Sequence, residues 1–78
     1  MEKKQLTFTQ KIGARMVQLR KKAGYKNHEA FAYEKGLSRS QYGRYEAGKV
    51  AIQADSLEKV IIALGVTVKE FFSEGFED

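Results

Sequence analysis

The chain has no cysteine, no proline and a single histidine, His28. Without cysteine there is no disulfide framework, and one imidazole cannot build a metal site alone. The staples that often hold very small folds together are therefore excluded, and a reducing compartment is compatible with their absence. No stretch approaches the roughly 20 apolar residues of a membrane span. No signal-peptide core follows the N-terminus, so a soluble, cytoplasmic protein is expected. There is also no low-complexity run and no internal repeat. With no proline, punctuation falls to the seven glycines.

At 78 residues the chain makes one domain. A domain of this size buries only about 60% of the surface its unfolded chain exposes. Tight helix packing, a second subunit or both must supply the stability. The net charge of +4 is unevenly spread. Residues 1–49 hold twelve Lys and Arg against four Asp and Glu, whereas residues 50–78 hold two against six. A basic half joined to an acidic tail fits a polyanion-binding face and a distal face, or simply two solvated surfaces.

Apolar spacing is helical almost throughout and predicts an all-α fold of five helices. The first is expected over 9–23, with Ile12, Met16, Leu19 and Ala23 on one stripe and Gly24 as its stop. The second is expected over 28–35, capped by Asn27, with Phe31 and Ala32 inward and Gly36 closing it. The third runs from Arg39 to Ala47, with Ser38 as N-cap, Gln41 placed for a capping box and Leu37 with Tyr42 placed as a staple. A fourth spans 56–64, with Leu57, Val60, Ile61 and Leu64 on one face. The fifth opens on Thr67, with Glu70 three residues on and Val66 and Phe71 as a staple, and is expected to fray from Ser73 to Asp78. The division is an N-terminal arm over 1–10, a helical domain over 11–72 and a tail over 73–78. Lys3 and Lys4 in the arm could add electrostatic attraction.

Two short helices joined by Glu34-Lys35-Gly36-Leu37-Ser38 form a helix-turn-helix arrangement, in which the turn glycine lets the second helix leave steeply. On the second of them, Tyr42 and Tyr45 point one way, as core residues with wet hydroxyls. Arg39, Ser40, Gly43, Arg44 and Ala47 point the other. Arginine can grip guanine O6 and N7 in the major groove, and Gln41 can pair with adenine unless the capping box consumes it. Gly43 in mid-helix costs up to about 1 kcal/mol relative to alanine. A close approach by a sugar-phosphate backbone would justify it.

The segment HEAFAYEKGLSRSQYGRYEAGK resembles the helix-turn-helix of the Cro/phage-repressor (XRE) family. Ala32, Gly36, Leu37, Ser38, Tyr42, Tyr45, Glu46 and Gly48 fall in register with its pattern. IGARMVQLR is similar to the family's first helix and SLEKVIIALGVTVKEFF to its last two, so the likeness covers about residues 11–72. The resemblance implies a five-helix lambda-repressor-like domain that binds double-stranded DNA. By position it makes Arg39, Ser40, Gln41 and Arg44 base readers, and Asn27, His28, Ser38 and Lys49 phosphate contacts. It also implies a semi-buried ion pair between Arg20 and Glu46. Four features depart from the pattern. His28 stands where glutamine is usual, Lys35 stands at a usually apolar position and suggests snorkelling, the loop after Arg20 is one residue longer, and the proline after the third helix is missing.

Phe71, Phe72 and Phe76 exceed what one short terminal helix needs for its own domain. A two-fold dimer through the last two helices, also implied by the resemblance, would use them. It would set two recognition helices about 34 Å apart, facing a palindromic operator. A homodimeric transcriptional regulator is thus expected, as a phage-like repressor, a restriction-modification controller or an antitoxin with a toxin partner. The competing reading is a protein-interaction module that has lost DNA binding, which the two arginines of the third helix oppose. With no nucleophile–base pair, buried carboxylate pair or phosphate-cradling loop, there are no residues to assign to catalysis. No cofactor and no small-molecule ligand are expected.

Overall fold

Thr7 starts the first helix. In the computed structural model, which describes residues 6–77, its hydroxyl accepts from the Gln10 amide at 3.1 Å. The Gln10 side chain accepts from the Thr7 amide at 2.9 Å, completing a capping box that the sequence reading overlooked. Five helices follow: α1 Phe8–Lys22, α2 His28–Glu34, α3 Arg39–Glu46, α4 Ala54–Leu64 and α5 Val68–Phe71. Among the described residues there is no strand. The first helix begins at Phe8, one residue before its expected start, so the end of the expected arm over 1–10 is helical. Lys3 and Lys4 lie outside the described residues.

The core draws on every helix: Ile12, Met16 and Leu19 of α1, Phe31 and Ala32 of α2, Tyr42 of α3, Val60, Ile61 and Leu64 of α4, and Phe71 of α5. Ala23, expected on the α1 stripe, is instead that helix's exposed C-cap. The expected caps of α2, α3 and α5 form, with Asn27, Ser38 and Thr67 accepting from the amides of Ala30, Gln41 and Glu70. Each satisfies an amide that has no partner within its helix.

α1 can lie against the end of α3 because of Gly13. A Cβ there would stand 2.5 Å from the Tyr45 carbonyl oxygen and 2.6 Å from that of Glu46. The missing side chain lets two backbones meet.

Arg15, also on α1, is buried and reaches the far end of the chain. Its guanidinium donates to the Phe71 carbonyl at 2.7 Å and to the Glu70 carbonyl at 2.8 Å. These are last-turn carbonyls of α5, where the helix ends without a following turn to supply amides; that of Glu70 also accepts from the Ser73 amide at 3.2 Å. Gln18 extends the tie, accepting from Arg15 and donating to Glu74 at 2.7 Å.

The tail does not fray at Ser73. Its hydroxyl donates to the Glu70 carbonyl, and the Phe76 ring lies 4.8 Å from Phe72 and 5.9 Å from Phe8. Phe8 also stacks on Phe72 at 6.3 Å, which closes an aromatic cluster between the start of α1 and the end of the chain. No helix among the described residues is long and apolar enough to cross a membrane.

Candidate nucleic-acid interface

α2 and α3 form the helix-turn-helix. Lys35 caps α2, and Gly36 takes a left-handed φ of 71°, which a side chain would oppose. The chain then extends through Leu37 to Ser38 and re-enters a helix at Arg39. The Leu37 amide donates to the Ala32 carbonyl at 2.8 Å, tying the turn back to α2. Tyr42 anchors α3 from beneath, fully buried with its ring 5.1 Å from Phe31.

With Tyr42 inward, the opposite side of α3 faces solvent. Arg39, Ser40, Gln41, Arg44 and Ala47 are exposed, and Lys49 follows just past the helix end. Among the described residues the guanidinium groups of Arg39 and Arg44 have no hydrogen-bond or ion-pair partner. Two uncommitted arginines within two turns of one short helix make a cationic surface able to meet phosphates or base edges.

Gln41 makes only half of the expected capping box. Its backbone amide caps onto Ser38 at 3.3 Å, but its side chain donates to the Tyr45 hydroxyl at 2.9 Å, so the reciprocal half of a capping box is not made. Asn27 and Ser38 commit their side-chain oxygens to helix caps. The Asn27 amide nitrogen remains a donor. Lys35 neither enters the core nor hangs free; its ammonium lies 5.9 Å from the Tyr25 ring centroid.

Gly43 has an explanation other than the one the sequence suggested. A Cβ there would lie 2.7 Å from His28 Nε2, so the half-buried imidazole of α2 occupies the space beside it. The close approach that requires glycine is made within the protein. No signal in the sequence connected these two positions.

The Arg20–Glu46 pair fixes α3 from behind. Arg20 Nε and Nη2 donate to the two Glu46 carboxylate oxygens at 2.7 and 3.0 Å, with side chains 6% and 7% exposed. Arg20 Nη1 also donates to the Tyr25 carbonyl at 2.9 Å, which holds the longer loop before α2. The hydrogen bond that Arg20 donates to Glu46 raises the Arg20 pKa above its ordinary value, against the opposing effect of burial.

The Tyr42 hydroxyl is buried, not wet as expected, and makes no well-formed hydrogen bond. Burial, reinforced by the neighbouring Glu46 carboxylate, pushes its pKa well above the ordinary phenol range. The Tyr25 hydroxyl donates to Glu34 at 2.6 Å, and that bond raises its pKa too.

A helix-turn-helix family model matches residues 16–71. The chain belongs to the XRE-type helix-turn-helix family. Control protein C.MunI of a Mycoplasma species is 34% identical over 64 residues, covering 82% of this chain and 86% of that protein. Among solved structures, the restriction-modification controller protein C.AhdI from Aeromonas hydrophila is 31% identical, with a TM-score of 0.71 over 82% of this chain and 96% of that one. The controller C.Esp1396I shares the fold with a TM-score of 0.77 over 90% of this chain and 92% of its own, at 24% identity. As a member of this helix-turn-helix family the protein is a DNA-binding transcriptional regulator that acts on double-stranded DNA.

One site assignment changes. Phe71, expected at a dimer interface, is fully buried in its own subunit beneath the Phe72 and Phe76 rings. It is therefore core. Phe72 and Phe76 stay partly exposed, and Phe8, 62% exposed, joins them although no local pattern pointed to it. Arg15 and Gly13 are structural residues that the sequence reading did not single out.

Proposed function

We propose that the protein is a homodimeric regulator of a restriction-modification operon that places α3 in the major groove of a palindromic operator. The observation that carries the reading is the exposed, uncommitted pair Arg39 and Arg44 on a short helix anchored by Tyr42 and Arg20. Arg39, Ser40, Gln41 and Arg44 read base edges. Asn27, Ser38 and Lys49 hold phosphates on either side and set the register. Among the three regulator types, the controller reading is supported by relatives named for that role on two independent comparisons.

The dimer face lies across α4 and α5. A shallow groove there is lined by Leu57, Ile61, Val68 and Phe72, with Asp55 and Glu58 also on its lining, and Val68 is 57% exposed. Phe8 and Phe76 border Phe72 and extend the same surface. A second copy related by a two-fold axis would cover this apolar area, which a small monomer has little reason to show to water.

Selection of oligonucleotides from a random pool supplies the operator and tests its symmetry. Arg39→Ala should relax preference at one base pair of each half-site. Lys49→Ala should weaken operator and random DNA alike and reduce the salt dependence by about one counterion. Val68→Asp should give monomers in sedimentation and lose operator binding. Equal effects of Arg39→Ala on operator and random DNA would refute the base-reading assignment.

A further inference from the structure

Residue 43 has no side chain, yet its place on the exposed side of α3 is not empty. An ideal Cβ on Gly43 would meet His28 Nε2 at 2.7 Å, Cδ2 at 3.0 Å and Cε1 at 3.4 Å. The nitrogen-bearing edge of the imidazole therefore lies where a side chain from position 43 would begin. Position 43 is four residues after Arg39, three after Ser40 and four before Ala47, so all four share one helix face. Those three neighbours are exposed, and His28 itself is only half-buried.

We propose that His28 acts as the missing side chain of position 43: its Nε2 edge, lent by α2 to the exposed face of α3, is a specificity-determining contact to a base edge of the operator. The inference rests on the DNA-binding reading above and gives His28, expected from the sequence as a phosphate contact, a base edge instead, adding a reader that does not belong to the recognition helix. Gly43 is then a seat. Its absent Cβ leaves the space in which the ring lies, and a side chain there would both displace the ring and take its place. Imidazole suits the role because its ring nitrogens can donate or accept a hydrogen bond. The register suits it too, since it continues the row set by Arg39 and Ser40 by one turn.

The test uses the full chain and an oligonucleotide that the wild-type protein selects from a random pool. Anisotropy binding curves for that duplex and for a scrambled one are measured alongside melting temperatures. His28→Ala should weaken selected-site binding about tenfold, as expected for one lost polar contact to a base, and leave scrambled binding unchanged. His28→Phe keeps a ring on Gly43 without its nitrogens and should lose as much, at a melting temperature close to wild type. Gly43→Ala should show a similar loss. In the His28→Ala background, where no ring remains to be displaced, it should add nothing.

Three results overturn the proposal. One is His28→Phe retaining wild-type preference, which would reduce the ring to packing. Another is equal loss on scrambled DNA, which would make His28 a backbone contact. The third is an undiminished further loss from Gly43→Ala when His28 is already alanine. Failure of the wild-type protein to select any duplex would instead refute the DNA-binding reading itself, before any variant is made.

Discussion

Arg20→Ala tests whether α3 is held by its buried ion pair or only by apolar packing. The substitution removes both donors from the Glu46 carboxylate, at 2.7 and 3.0 Å, and the donor to the Tyr25 carbonyl. Glu46, whose side chain is 7% exposed in the intact pair, loses its counter-charge. Stranding a buried charge in this way costs about 3–5 kcal/mol, out of a total stability of about 5–15 kcal/mol for a small domain. In a chain of this length each kcal/mol moves the melting temperature by about 4–8 °C, so a fall of at least about 12 °C is expected. Removing both charges should behave differently. Arg20→Met with Glu46→Leu fills similar volume without an orphaned carboxylate and should stay within about 1 kcal/mol of wild type.

Urea unfolding followed by circular dichroism measures all three proteins. Affinity for DNA, corrected to folded protein, should be nearly unchanged in Arg20→Ala, because no base or phosphate contact is touched. A loss below about 1 kcal/mol for Arg20→Ala would refute the claim that the bridge is buried. So would a double variant as unstable as the single one.

Gly13→Ala should lower stability by about 1–3 kcal/mol by thermal melt, since its methyl would press on the Tyr45 and Glu46 carbonyls and the backbone of α3 cannot step aside cheaply. Arg15→Met should cost about 1.5–3 kcal/mol for each charged hydrogen bond lost to the Phe71 and Glu70 carbonyls. Hydrogen exchange should then rise first in α5 and the tail, with α3 little affected. Tyr42→Phe removes a buried hydroxyl that has no good partner and should be neutral or stabilising by up to about 1 kcal/mol at neutral pH. Because the folded Tyr42 phenol titrates far above its unfolded value of 10.0, unfolding releases a proton above that pH and stability falls as pH rises. Tyr42→Phe should lessen that alkaline slope by about 1.4 kcal/mol per pH unit, leaving a smaller slope of the same sign from Tyr25.

What the sequence made legible was local. Caps, glycine stops and 3.6-residue spacing depend on residues a few positions apart, and they placed all five helices and the turn at Gly36. The Arg20–Glu46 bridge came from register with a family, since nothing in either residue's own neighbourhood marks the other. Long-range choices stayed hidden. Arg15 looks in sequence like any surface arginine of a basic helix, and only the arrival of α5 turns it into a buried donor. Gly13 sits unremarked among helix formers until α3 crosses it. Phe71, Phe72 and Phe76 carry one composition signal, yet burial divides them, with Phe71 taken into the core and the other two left at the surface. At Gly43 the sequence showed that glycine needed a reason but not which neighbour supplied it. A mid-helix glycine marks a close approach, and the structure makes that approach through α2. The consequence for recognition is that the exposed face of α3 cannot be read as a string from Arg39 to Ala47. One of its positions is furnished by a residue fifteen places earlier in the chain.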